Sequence, residues 1–163
     1  MIILFISISG ILREEGSSLD FQGEQILEDI DFQGERVGFF APINLKGTIS
    51  NTNQMLLVQI SLEGCIELQC GACAGMYEYN IGLSFEAVYR RFTDPEDPDI
   101  FTYQNDRIDF KDAVLEHILL DIPTRKRCME DCKGICSGCG VDLNLDQCRC
   151  YSFEPRDEVG NFQ

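Results

Sequence analysis

Six cysteines stand within 23 residues, in Cys128-Met-Glu-Asp-Cys132-Lys-Gly-Ile-Cys136-Ser-Gly-Cys139-Gly-Val-Asp-Leu-Asn-Leu-Asp-Gln-Cys148-Arg-Cys150. No hydrophobic core requires such a density, so the stretch needs a chemical reason. Cys136-x-x-Cys139-Gly has the form of a zinc knuckle. Two thiolates at that spacing converge on one tetrahedral ion, and the glycine behind them lets the backbone turn tightly.

One zinc takes four of the six. Cys136 and Cys139 come first, and Cys132, separated from Cys136 by Lys133, Gly134 and Ile135, comes next. The fourth ligand is Cys148 or Cys150, because a Cys-x-Cys pair brings both sulfurs to one ion only with strain. The expected set is Cys132, Cys136, Cys139 and Cys150, with Cys128 and Cys148 as alternates. Four thiolates leave no open position for water, so such a zinc is structural. A second pair, Cys70-Gly-Ala-Cys73, is a candidate for a second site. Against that, Cys70 lies on the apolar face of its strand, where a cysteine packs as a small hydrophobe. Cys65 lies on the opposite face, alone.

The cysteines number nine, an odd count, which favours a reduced, cytoplasmic chain over a disulfide scaffold. The opening run Met1-Ile-Ile-Leu-Phe-Ile-Ser-Ile-Ser-Gly10 has no basic residue before it. It is too short to span a bilayer and lacks the start of a signal peptide, so a core strand over residues 2–9 is expected.

The net charge is −15 over 163 residues. Between Thr124 and Cys150 the bases Arg125, Lys126, Arg127, Lys133 and Arg149 slightly outnumber the acids, so the acidity belongs to the rest of the chain. That field opposes binding to phosphate backbones. No Ser/His/Asp set, phosphate-binding glycine loop or reasoned carboxylate pair is present, and the single histidine, His117, reads as a packed or half-exposed residue rather than a catalyst. An enzyme, a small-molecule substrate and a membrane segment are therefore not expected.

Alternation marks the body. From Val58 to Cys70 the even positions are apolar or small, and from Tyr77 to Tyr89 the odd ones are apolar or aromatic. Period two over this length predicts two half-buried strands, joined by a short glycine-containing link into a hairpin. Residues 41–50 supply another strand, turning at Asn51-Thr-Asn53. Residues 13–40 are harder to place. They hold Asp20-Phe-Gln-Gly-Glu24 and again Asp31-Phe-Gln-Gly-Glu35, which reads as two similar strand-and-turn units or as chance.

Thr93-Asp-Pro-Glu-Asp-Pro-Asp99 predicts a solvated acidic loop. A helix over 109–121 follows, capped by Asp109, with Val114, Leu115, Ile118 and Leu119 as its apolar stripe and Pro123 as its stop. The expected fold is α+β, mostly β: an antiparallel meander with one covering helix and a Cys-rich, zinc-knuckle-like tail. Its parts are a β domain over 1–123, a Cys-rich zinc module over 124–151 and a tail over 152–163.

The chain resembles the YceD family, the large ribosomal RNA subunit accumulation proteins. The resemblance rests on Ile118-Leu-Leu-Asp-Ile-Pro123 followed by the six-cysteine stretch with Leu143 and Asn144. The family also carries a Cys-x-Arg-Cys pair after a strand. Cys70-Gly-Ala-Cys73 stands in that place, with Ala72 where the arginine would be, and Glu154-Pro-Arg-Asp157 partly matches a family tail. The resemblance implies a non-enzymatic cytoplasmic factor for large-subunit RNA accumulation and ribosome assembly. It also implies a structural metal module, since some family members lack the terminal cysteines. Basic ribosomal proteins or assembly particles are the expected partners of an acidic chain. Two other readings stand beside this one. One is direct RNA contact through Arg125, Lys126, Arg127, Lys133 and Arg149. The other is thiol redox or metal handling.

Overall fold

A computed structural model describes residues 5–52, 55–93 and 95–150. The long alternating stretches form the frame. β5 (Ile43–Asn51), β6 (Leu56–Gln69) and β7 (Met76–Arg90) run antiparallel in sequence order, each hydrogen-bonded to the next. β2 (Ser18–Gln25) adds antiparallel beside β5, and the short β8 (Phe101–Thr102) adds parallel at the far end of β7. β6 and β7 keep one register without a bulge from Leu56↔Tyr89 to Gln69↔Met76. Outside this sheet, β1 (Ile6–Ser7) pairs with β9 (Arg107–Ile108), and β3 (Ile30–Phe32) pairs with β4 (Glu35–Val37).

Period two gives the sheet unlike faces. Ile43, Leu45, Ile49, Leu56, Val58, Ile60, Leu62, Ile66 and Leu68 are all buried on one side. The helix α1 (Lys111–Asp121) lies against that side, burying Ala113, Val114 and Ile118. Leu115 and Leu119 complete its stripe half-buried. Aromatic rings close the core. Phe21 stacks on Phe110 at 4.6 Å, and Phe110 meets the edge of buried Tyr89 at 6.2 Å. The Tyr89 hydroxyl donates to the Asp109 carbonyl at 3.1 Å, and burial raises its pKa.

The other face is polar and crossed by side-chain ladders. One row is Asp20–Thr48–Gln59–Glu86 and the next is Gln22–Lys46–Ser61–Ser84. Along them Thr48 donates to Asp20 at 2.6 Å, Gln59 donates to Glu86 at 2.9 Å, and the Ser61 and Ser84 hydroxyls meet at 2.8 Å.

Several expectations are modified. The first strand is confined to Ile6–Ser7 among the described residues, and residues 1–4 lie outside them. The chain then turns, and the Asn51 side-chain amide holds this turn by donating to the carbonyls of Ile11 and Glu14 at 2.7 and 3.2 Å. The helix starts at Lys111, with Phe110 in the capping position. Asp109 sits one residue earlier, its carboxylate accepting from the Lys111 amide at 2.8 Å. Part of the Asn51–Asn53 turn and of the acidic loop 93–99 lies outside the described residues, as does the tail 152–163.

The two Asp-Phe-Gln-Gly-Glu segments do not form similar units. The first lies inside β2, where Phe21 reaches the core. The second makes the β3–β4 turn, with Gln33 at φ 55° and Gly34 at φ 81° and the Gly34 amide donating to Asp31 at 3.0 Å. The same five residues obey different neighbours, because packing overrides local preference.

Two glycines of the sheet test this packing. A Cβ on Gly47 would stand 2.0 Å from the Gln59 carbonyl oxygen and 2.8 Å from Phe21, whereas one on Gly82 would meet nothing within 4 Å. Gly47→Ala is expected to destabilise the fold by about 1–3 kcal/mol or more. Gly82→Ala is expected to stay within about 0.5 kcal/mol. Urea unfolding midpoints of the two variants check both.

Candidate metal centres

Two elements supply the first group of thiols. The β6–β7 turn is a knuckle: the Cys70 amide donates to the Gly75 carbonyl at 2.8 Å, and the Ala74 amide donates to the Cys70 carbonyl at 3.0 Å. This turn brings Cys70 and Cys73 to the end of the sheet where the chain after α1 arrives. The arriving chain is fastened there by its backbone. The Gly71 amide donates to the Lys126 carbonyl at 3.0 Å, and the Ile135 amide donates to the Ala72 carbonyl at 3.1 Å. Lys126 also pairs with Glu35 of β4, and Arg127 donates to the Cys132 carbonyl at 3.0 Å. Cys128 and Cys132 are thereby carried onto Cys70 and Cys73.

The second group is built within the tail. Cys136-Ser-Gly-Cys139-Gly140 is another knuckle, in which the Cys136 amide donates to the Val141 carbonyl and the Gly140 amide to the Cys136 carbonyl, both at 2.9 Å. Cys148 and Cys150 fold back onto it.

In each group all four sulfurs lie within 4.8 Å of one another. In the first, Cys70 and Cys132 are 3.8 Å apart and Cys73 and Cys128 are 3.7 Å apart. In the second, Cys136 lies 3.3 Å from Cys148 and 3.7 Å from Cys150, and Cys139 lies 3.9 Å from Cys148. A disulfide needs about 2.05 Å. Sulfurs placed about 2.3 Å from a central zinc form a tetrahedron with edges of about 3.8 Å. The donor set, the separations and the count in each group fit one four-coordinate ion.

Hydrogen bonds to sulfur favour thiolates. Burial pulls the Cys70 thiol up, but the amides of Cys73, Ala72 and Cys128 overcome it and bring its pKa down to about 6. The Cys139 and Gly138 amides bring Cys136 down to about 6 as well. Burial and its sulfur neighbours push Cys128 up to about 12, and the neighbouring sulfurs of Cys148 and Cys136 do the same to Cys150. Four thiols this close resist ionising together. A divalent cation removes that penalty.

The geometry divides the thiols differently from the expected set. Cys132 lies with Cys70, Cys73 and Cys128, while Cys136, Cys139, Cys148 and Cys150 lie together. Three residues separate Cys132 from Cys136, but Gly134 between them has φ 75° and turns the chain from one group to the next. Cys148 and Cys150 both reach the second group, with the Cys150 amide donating to the Cys148 sulfur at 3.3 Å. Cys65 stands apart, half-buried in β6, with its thiol pKa raised by burial. His117 lies over Phe85 at 3.7 Å, its Nδ1 2.8 Å from the Ala113 carbonyl oxygen.

Asn144 is a site residue that spacing could not single out. It accepts from the Lys133 amide at 2.9 Å and donates to the Cys132 sulfur at 3.4 Å and to Asp142 at 2.8 Å. Glu35, distant in sequence, was equally hidden.

A family model described as "Large ribosomal RNA subunit accumulation protein YceD" matches residues 58–161. The chain belongs to that family. No curated protein and no solved structure matches it. No helix among the described residues is long and apolar enough to cross a membrane.

Gly134 and Asn144 carry the prediction from this geometry. A Cβ on Gly134 would lie 3.0 Å from the Ala72 carbonyl oxygen, on a backbone with positive φ. Gly134→Ala is expected to cost about 1–3 kcal/mol, and Asn144→Ala about 1–2 kcal/mol through its unpaired partners. Thermal unfolding of the two variants beside the parent chain, followed by circular dichroism, checks both.

Proposed function

We propose that this member of the YceD family is a non-enzymatic, cytoplasmic factor that supports large-subunit ribosomal RNA accumulation. It acts through protein partners, namely basic ribosomal proteins or the assembly particles that contain them. The family match carries the reading, and the charge distribution supports the choice of partner. Asp20, Glu24, Glu63, Glu78 and Glu86 lie on the polar side of the sheet, where Lys46 is the one base among the outward residues of β2, β5, β6 and β7 before Arg90. Such a surface attracts cationic protein and repels phosphate.

Direct RNA contact by the cysteine module is less well supported. Of its bases, Lys126 is paired with Glu35, Arg127 with the Cys132 carbonyl and Arg149 with Asp146. Arg125 and Lys133 are the exposed bases left over.

In this reading each cysteine group holds a structural zinc. Cys70, Cys73, Cys128 and Cys132 fasten the tail to the sheet, and Cys136, Cys139, Cys148 and Cys150 close the tail on itself. The metal serves shape, with the partner surface on the acidic body.

Two experiments test this. Tagged protein should capture basic ribosomal proteins at low salt and release them as salt screens the charges. Depletion should lower large-subunit RNA relative to small-subunit RNA. Capture unchanged by salt, or RNA levels unchanged by depletion, would contradict the proposal. For the metal, protein purified under reducing conditions should carry two zinc ions by native mass spectrometry. Cys132→Ser should lower one site's affinity and leave Cys139 protected, and Cys139→Ser should do the reverse. Because the ligands must be deprotonated, acid should release the metal, and zinc retention should fall as pH drops.

A further inference from the structure

Among the described residues, the long strand β7 pairs on its outer edge only with β8, at Tyr89 and Arg90. From Met76 to Val88 none of the described strands lies beside it there.

The direction of its backbone groups follows from two bonds. The Glu67 amide and carbonyl both bond to Gly38, at 2.9 Å each, so they point away from β7. Glu67 faces Glu78 in the β6–β7 register. Residues opposite one another in an antiparallel pair either bond together or both point away. Glu78 therefore directs its amide and carbonyl outward, and so do Asn80, Gly82, Ser84 and Glu86 along the unbroken register. The far end agrees: the Arg90 carbonyl, of the same parity, accepts from the Tyr103 amide at 3.0 Å on the outer side.

The same residues present their side chains on the polar face, where Glu78 and Glu86 are exposed. The alternate residues Tyr79, Leu83 and Phe85 are half-buried at the margin of the core. This edge thus offers three kinds of recognition at one spacing. They are a row of free backbone groups, carboxylates on one side and partly covered apolar groups on the other.

Charge selects the occupant. A second copy could pair antiparallel to β7 about Gly82, the centre of the free stretch. That register would set Glu78 directly opposite Glu86 twice, and like charges opposite one another destabilise a sheet. A strand with bases at those positions turns both repulsions into attractions.

We propose that β7 receives an extended basic segment of a partner protein as an added strand along Glu78–Glu86. Alternate lysines or arginines face Glu78 and Glu86, and alternate apolar residues lie beside Tyr79, Leu83 and Phe85. The proposal rests on the reading of the chain as a binder of basic protein and names where and how the partner is held. Backbone pairing supplies affinity, and the alternating pockets supply specificity.

The test needs no ribosome. The probe is a labelled peptide of alternating lysine and valine, with a control in which the same lysines and valines are separated into blocks. The full chain, with metal bound, should take the alternating peptide about tenfold more tightly than the block peptide. Hydrogen exchange read by NMR should show new protection at the amides of Glu78, Asn80, Gly82, Ser84 and Glu86. The amides of Tyr79, Ile81, Leu83 and Phe85, already bonded to β6, should change little. Gly82→Pro removes one outward amide at a position with no side-chain contact, and should weaken binding about tenfold. The joint reversal Glu78→Lys and Glu86→Lys should weaken it further.

The following results would overturn the proposal. Equal affinity for the two peptides, or binding with the edge amides unprotected, would mean that charge alone holds the partner. Edge amides protected without peptide in a dimer seen by light scattering would make the occupant a second copy. The exchange measurement decides even where the proline variant does not fold. Salt-sensitive capture of ribosomal proteins with no edge protection would sink this proposal and leave the broader function standing.

Discussion

The approach of Cys128 and Cys132 to Cys70 and Cys73 is the constraint on which the tail depends. The paired sulfurs come from positions 62 and 55 residues apart in sequence. Closing so long a loop is entropically unfavourable, and a bound ion would offset that through four strong ligands. Without it, the module from Lys126 onward is held by a few backbone hydrogen bonds and the Lys126–Glu35 pair. That pair is partly exposed, so it contributes modestly. The second cysteine group lies beyond Gly134 and inherits its position from the first.

The sheet places this junction. β6 and β7 are long because their alternation continues without interruption, and their turn delivers the first knuckle to one end of the molecule. The helix α1 runs over the buried face and ends before Pro123, so the chain leaves it close to that turn. In the proposed reading two tasks are separated: the cysteine groups close the tail, and the polar face and the β7 edge receive the partner.

Much of this was legible in the sequence because period two and thiol spacing are local signals. The hairpin strands, the strand at 43–51 and the apolar stripe of α1 follow from such patterns. β2 was obscured because Asp20-Phe-Gln-Gly-Glu24 alternates weakly and recurs as a turn at Asp31–Glu35. The cysteine grouping was obscured for a different reason. Local spacing makes Cys132 a neighbour of Cys136, but its partner Cys70 is set by the hairpin register and by the path after α1. Cys70 lies on an apolar face and is buried, as a core residue would be. Its chemical role shows only when the tail is seen against it.

The most direct measurement is cadmium-113 NMR of protein reconstituted with cadmium. The account predicts two resonances in the tetrathiolate range. One should correlate with the β-protons of Cys70, Cys73, Cys128 and Cys132, and the other with those of Cys136, Cys139, Cys148 and Cys150. A single resonance, or one that links Cys132 with Cys136 and Cys139, would contradict it.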